Sequence, residues 1–154
     1  MTLQPDLTDI RRDLVTLLPR LRRFALAYCG QPDVVDELVR EACARAVMQA
    51  PHFDGATRLE SWVFSLIRTV WMEDAKKRAL GAAESHANGF AQHQAILGMP
   101  AGAAASFLLV AVEEHRYAEA ADILAIDVEA VTAQLALARQ HFAGLTIDSA
   151  ERRA

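Results

Sequence analysis

The chain has 154 residues, 53% of them hydrophobic, and a formal net charge of -4. That length and apolar content allow one ordinary domain or two small helical ones around a packed core. The single cysteines Cys29 and Cys43 match neither a disulfide framework nor a metal knuckle, and no apolar run approaches the roughly 18 residues of a membrane span. The N-terminus has no basic n-region followed by an apolar h-region, so the chain reads as soluble and cytoplasmic. Ala and Leu dominate the apolar residues, aromatics are few and Val and Ile never alternate at length, which favours an all-α fold.

Thr8 or Asp9 can cap a first helix, whose apolar set Ile10, Leu14, Leu17, Leu18, Leu21, Phe24, Ala25 and Tyr28 recurs at helical spacing up to Gly30. Pro19 predicts either a kink or a second helix starting there. Arg20, Arg22 and Arg23 fall mostly off the apolar face and read as solvated. After Gln31-Pro32 a second helix is expected from about Asp33 to Gln49, with Val34, Leu38, Val39, Ala42, Ala46 and Val47 inward and a charged outer face. A loop follows, and Thr57-Arg58-Leu59-Glu60 matches a capping box. The third helix turns Leu59, Trp62, Val63, Leu66, Ile67, Val70 and Trp71 inward and ends in Lys76-Lys77-Arg78, which suits the negative end of a helix dipole.

From Gly81 to about Gln94 periodicity is lost and Gly, Ser, Asn and His accumulate, as in a linker. His86 and His93 have no acidic or Cys partner at ligand spacing, so no metal and no cofactor are expected. The division is then 1–80, linker 81–94 and a second unit 95–154. Phe107 to Glu113 is a candidate helix, and Tyr117 to Phe142 has the apolar skeleton of a helix-turn-helix. Residues 1–80 carry 12 Lys and Arg against 11 Asp and Glu, whereas residues 81–154 carry 4 against 9. An acidic unit is a poor partner for phosphates, so duplex DNA does not suit this second half.

Four stretches in order resemble the sigma factors of the extracytoplasmic-function group, in its general-stress branch. Leu17 to Gly30 (L-L-P-R-L-R-R-F-A-L-A-Y-C-G) is similar to the opening helix, and Asp33 to Ala46 (D-V-V-D-E-L-V-R-E-A-C-A-R-A) to the D-D-L-V-Q-E segment. His52 to Arg68 resembles the promoter-melting segment. Tyr117 to Val131 (Y-A-E-A-A-D-I-L-A-I-D-V-E-A-V) is similar to the start of the upstream-promoter reader. The resemblance implies a three- to four-helix domain that docks on core RNA polymerase and opens promoter DNA, then a helix-turn-helix domain that reads the upstream element. It places Asp36, Glu37, Leu38, Val39, Arg40 and Glu41 against polymerase. Phe53, Asp54, Thr57, Trp62, Arg68, Lys76, Lys77 and Arg78 would lie along melted DNA, where aromatic and cationic groups suit a single strand. Thr132, Gln134 and Arg139 would meet the duplex.

The chain also departs from the family. Arg40 stands for Gln, and Thr69 for the Asn after Arg68. The recognition helix of the family reads roughly V-G-T-V-K-S-R-L-S-R-A-R, and here it is V-E-A-V-T-A-Q-L-A-L-A-R. Thr132, Gln134 and Leu137 thus replace cations and Glu129 replaces Gly, while Val131, Leu135, Ala138 and Phe142 keep the core spacing. Phosphate contacts are lost, Glu129 occupies the helix N-terminus that would favour a phosphate, and Gln134 keeps the capacity to contact adenine. Ala125 sits where the turn uses Gly, at a cost on the order of 1 kcal/mol. No nucleophile with a base and no Gly-rich phosphate loop is present, so the chain does not read as an enzyme. Two functions are expected: a sigma factor with weakened upstream reading, or a sigma-like decoy that binds an anti-sigma factor or polymerase and regulates transcription through protein contacts. An anti-sigma factor is an expected partner and a membrane is not.

Overall fold

The computed structural model describes residues 7–53, 55–81 and 102–151. Among the described residues every regular element is helical. They are α1 (Leu7–Cys29), α2 (Val35–Gln49), α3 (Leu59–Gly81), α4 (Ala103–Phe107, continued by a π turn over Leu108–Val112), α5 (Tyr117–Leu124) and α6 (Val128–Glu151). Short 3-10 turns, Pro32–Val34 and Ala50–His52, flank α2. The backbone divides into two compact units, residues 1–83 and 84–154. The expected linker 81–94, apart from Gly81, and the expected start of the second unit near Ala95 lie outside the described residues.

In the first unit α1, α2 and α3 pack pairwise around one core. α1 stays one helix through Pro19. Ile10, Leu14, Leu17, Leu21, Phe24 and Ala25 are buried as their spacing predicts, but Leu18 is 36% exposed and stands outside the core. From α2 come Val35, Leu38, Val39, Ala42 and Ala46, with Val34 and Val47 only half-buried. From α3 come Val63, Phe64, Leu66, Ile67 and Val70. Phe64, absent from the predicted inward set, is fully buried against Phe24 with ring centroids 4.6 Å apart. Leu59, Trp62 and Trp71 are half-buried rather than central.

Ion pairs tie the three helices together. Arg20 meets the largely buried Glu60 at 3.4 Å, and Arg22 meets Asp36 at 2.7 Å in a pair that stays exposed to solvent, as expected of a helix-surface arginine. Arg45 joins Glu41 on its own helix at 3.2 Å to Glu73 on α3 at 2.6 Å. Its hydrogen bond holds the Glu73 carboxyl below its ordinary range, so this tie is intact at neutral pH and weakens as acid protonates Glu73. No capping box forms at Thr57: α3 begins at Leu59, and the Glu60 carboxylate faces Arg20 and, at 3.6 Å, Arg58.

The second unit is a helix-turn-helix, α5 and α6, seated on α4 and its π turn. Leu108, Leu109, Ala120, Ala121, Ile123, Leu124, Val131, Leu135 and Ala138 form its core. Phe142, expected inside, is 40% exposed, although its ring lies 4.9 Å from that of Phe107. The expected helix from Phe107 to Glu113 is realised as an earlier α turn running into π geometry, in which the Glu113 N–H donates to Leu108 O at 2.9 Å.

Local chemistry sets the turn. α5 ends in a Schellman arrangement, with Ile126 N–H donating to Ala121 O at 3.0 Å and Ala125 N–H to Asp122 O at 3.3 Å. Ala125 is left-handed at φ 55, ψ 43. Asp127 then caps α6, its Oδ1 accepting from Ala130 N–H at 2.7 Å. Because the alanine Cβ is penalised in this conformation, Ala125→Gly is expected to stabilise the second unit by about 0.5–1 kcal/mol, the strain relief less the added freedom of Gly in the unfolded chain. Thermal unfolding followed by circular dichroism checks this; an equal or lower midpoint would contradict it.

Candidate functional site

Of the side chains assigned to polymerase, Asp36, Glu37, Arg40 and Glu41 are exposed along α2. Leu38 is 4% exposed and belongs to the core, so it cannot face a partner. Val39, also buried, forms part of the floor of an apolar groove between α1 and α2. This groove holds about 420 Å³ and is lined by Leu14, Val15, Leu18, Val39, Cys43 and Val47, with Arg11, Arg22, Arg40 and Asp36 at its rim. Val15 is 66% exposed beside it. Burial pushes the Cys43 thiol up, so it behaves as an apolar lining group rather than a nucleophile. Sequence patterning had not singled out Val15, Leu18 or Cys43 as surface for a partner.

Around the expected DNA strand the rings of Phe53 and Trp62 stack on each other, centroids 4.7 Å apart and planes 18° from parallel, and both are half-buried. The stack joins the loop after α2 to the first turns of α3. Thr57 is exposed in that loop, beside Gly55 at φ +75; Asp54 lies outside the described residues. Arg68 is half-buried near Tyr28, whose phenol is pushed up by burial and pulled part way back by the guanidinium. Lys76 and Lys77 are exposed at the end of α3, and the side chain of Arg78 lies outside the described residues. Phe53, Thr57 and Trp62 therefore gather at one end of α3, with Lys76 and Lys77 four turns away along it.

On α6, Thr132 and Arg139 are exposed, as are Glu129, Ala133, Ala136, Leu137 and Gln140. Gln134 is not among them. It is half-buried, and its Oε1 accepts a hydrogen bond from the buried Ser106 hydroxyl on α4. The assignment of Gln134 to base contact is at odds with this placement, because the carboxamide is engaged inside the unit. Among the described residues no group of three metal-ligating side chains exists, and no helix is long and apolar enough to cross a membrane.

The described residues thus form a three-helix bundle with an exposed charged helix and an apolar groove, and a separate helix-turn-helix unit. Residues 14–80 match the model of sigma-70 region 2, and residues 91–142 that of sigma-70 region 4. The chain belongs to the sigma-70 family, in its extracytoplasmic-function group. It is 36% identical over 73 residues to the ECF RNA polymerase sigma factor EcfG of Rhodopseudomonas palustris (strain TIE-1), a match covering 47% of this chain and 40% of that protein. In fold it is similar to the sigma factor RpoE from Bartonella quintana, solved in complex with the anti-sigma factor NepR. That comparison has a TM-score of 0.72 and 19% identity, covering 90% of this chain and 96% of the other. It is also similar to CnrH, solved with the cytosolic domain of CnrY, with a TM-score of 0.64 and 20% identity over 92% of this chain and 89% of the other.

Proposed function

We propose that this chain is a sigma factor of the general-stress branch, which brings core RNA polymerase to promoter DNA through its first unit and reads the upstream element weakly. The observation that carries this reading is the α1–α2 face, where an apolar groove of about 420 Å³ lies beside the exposed charges of Asp36, Glu37, Arg40 and Glu41. An apolar floor with a charged rim fits a helical partner that buries its own apolar stripe, and in this reading the partner is polymerase. Phe53, Thr57, Trp62, Arg68, Lys76 and Lys77 support the melted strand, with the Phe53–Trp62 stack holding the loop at its place of use.

A second reading has its own support. The exposed face of α6 has Glu129, Thr132, Ala133, Ala136 and Leu137 where a duplex reader needs cations, with Arg139 as its one cation, and the structural neighbour RpoE from Bartonella quintana was solved with the anti-sigma factor NepR. In that reading the chain is a decoy that binds an anti-sigma factor or polymerase without recognising a promoter. Mixing the purified chain with core polymerase and a general-stress promoter, and separately with a candidate anti-sigma factor, separates the two. Promoter-specific transcripts are expected; tight anti-sigma binding with no transcript would overturn the first reading in favour of the decoy.

A further inference from the structure

α6 carries two rows of side chains. The inner row is Val131, Gln134, Leu135 and Ala138, at helical spacing, and three of its four members are apolar and buried. Gln134 is the polar exception, and α4 explains it. Ser106 is fully buried, and a hydroxyl withdrawn from water is costly unless it is bonded. Its Oγ donates to Gln134 Oε1. The other end of the carboxamide lies over Gly102, where an added Cβ would come within 2.5 Å of Nε2 and 3.0 Å of Cδ. Gly102 also has φ +85, a conformation that favours glycine. The residue at 102 thus leaves room for the glutamine, the residue at 106 needs it, and the two lie 28 or more positions away in sequence.

We propose that Gln134 is a positioning residue that locks α6 onto α4, so that position 134 takes no part in the outer face that carries Glu129, Thr132, Ala133, Ala136, Leu137, Arg139 and Gln140. This rests on the reading of the second unit as a region 4. A cation at 134 would be turned toward Ser106 and Gly102, where it meets no phosphate and leaves the buried hydroxyl without its acceptor. Cations at 132 and 137 project outward. The weak upstream reading proposed above is then a property of the outer row alone, and position 134 does not contribute to it.

Two measurements on the full chain test this. The first is fluorescence anisotropy with a mixed-sequence 25-base-pair duplex over a range of salt. Thr132→Lys with Leu137→Arg, Gln134 being kept, is expected to steepen the dependence of log K on log salt by about 1.8, two phosphate contacts' worth, whereas Gln134→Arg leaves the slope unchanged and lowers the thermal midpoint by about 4 °C or more. A slope that steepens by about 0.9 with Gln134→Arg alone, at an unchanged midpoint, would overturn the lock. The second is a double-mutant cycle. Ser106→Ala with Gln134→Leu removes both polar partners and is expected to melt closer to the parent than the sum of the single changes predicts; strict additivity would overturn the lock as well. If the cycle shows coupling but neither set of cations alters the slope, the lock stands, the outer row does not face DNA, and the decoy reading is favoured over weak upstream reading.

Discussion

Phe64→Ala is expected to destabilise the first unit by about 3–5 kcal/mol, the range for removing a fully buried aromatic ring. Phe64 is completely enclosed, packed on Phe24, and Phe24 in turn stacks on Tyr28 at 5.8 Å. Removing the ring opens a cavity between α1 and α3 that the surrounding helices, tied by Arg20–Glu60 and Arg45–Glu73, cannot fully close. Small domains have about 5–15 kcal/mol of stability in total, so the variant is expected to unfold substantially at 37 °C and, under the proposed function, to lose polymerase binding with its fold. Denaturant unfolding followed by tryptophan emission measures this, since both Trp62 and Trp71 lie in the first unit. A loss below about 1 kcal/mol would mean that α3 is not anchored through this ring.

The second large effect concerns binding and leaves the fold intact. Val15 is 66% exposed at the α1–α2 groove, so Val15→Asp should change stability by no more than about 0.5 kcal/mol. If polymerase covers this groove, the new carboxylate must be desolvated against apolar surface without a partner. A cost of about 2 kcal/mol or more is expected, which is roughly thirtyfold in affinity for core polymerase. Unaltered affinity in a folded Val15→Asp protein would remove the groove from the docking surface and leave only the charges of α2.

What the sequence conveyed and what it concealed follow from the range of the interactions. Helical periodicity located α1, α2, α3 and the helix-turn-helix because it records which side of each helix is apolar. Apolarity alone does not say whether that side meets the core or an outside partner, which is why Leu18 shares the inward spacing yet borders the groove. Phe64 stands beside Val63 in a helix buried along more than one row, so a single-stripe pattern passed over it. Gln134 stands at a position that is basic in the family, and its engagement depends on Ser106, 28 residues earlier, which no local pattern records. Ala125 was different: the left-handed turn was visible from the family pattern because the constraint is local and steric. The π turn over Leu108–Val112 has no distinct periodic signature in an unbroken apolar run.

Under the proposed function the first unit confers promoter choice on polymerase, while the outer row of α6 contributes little. Mapping the 5′ ends of transcripts made in vitro from genomic DNA by core polymerase, with and without the chain, tests it most directly. The predicted result is a set of chain-dependent start sites that share a downstream element and only a weak upstream one. Chain-dependent starts sharing an upstream element as strong as the downstream one, or no chain-dependent starts, would contradict it.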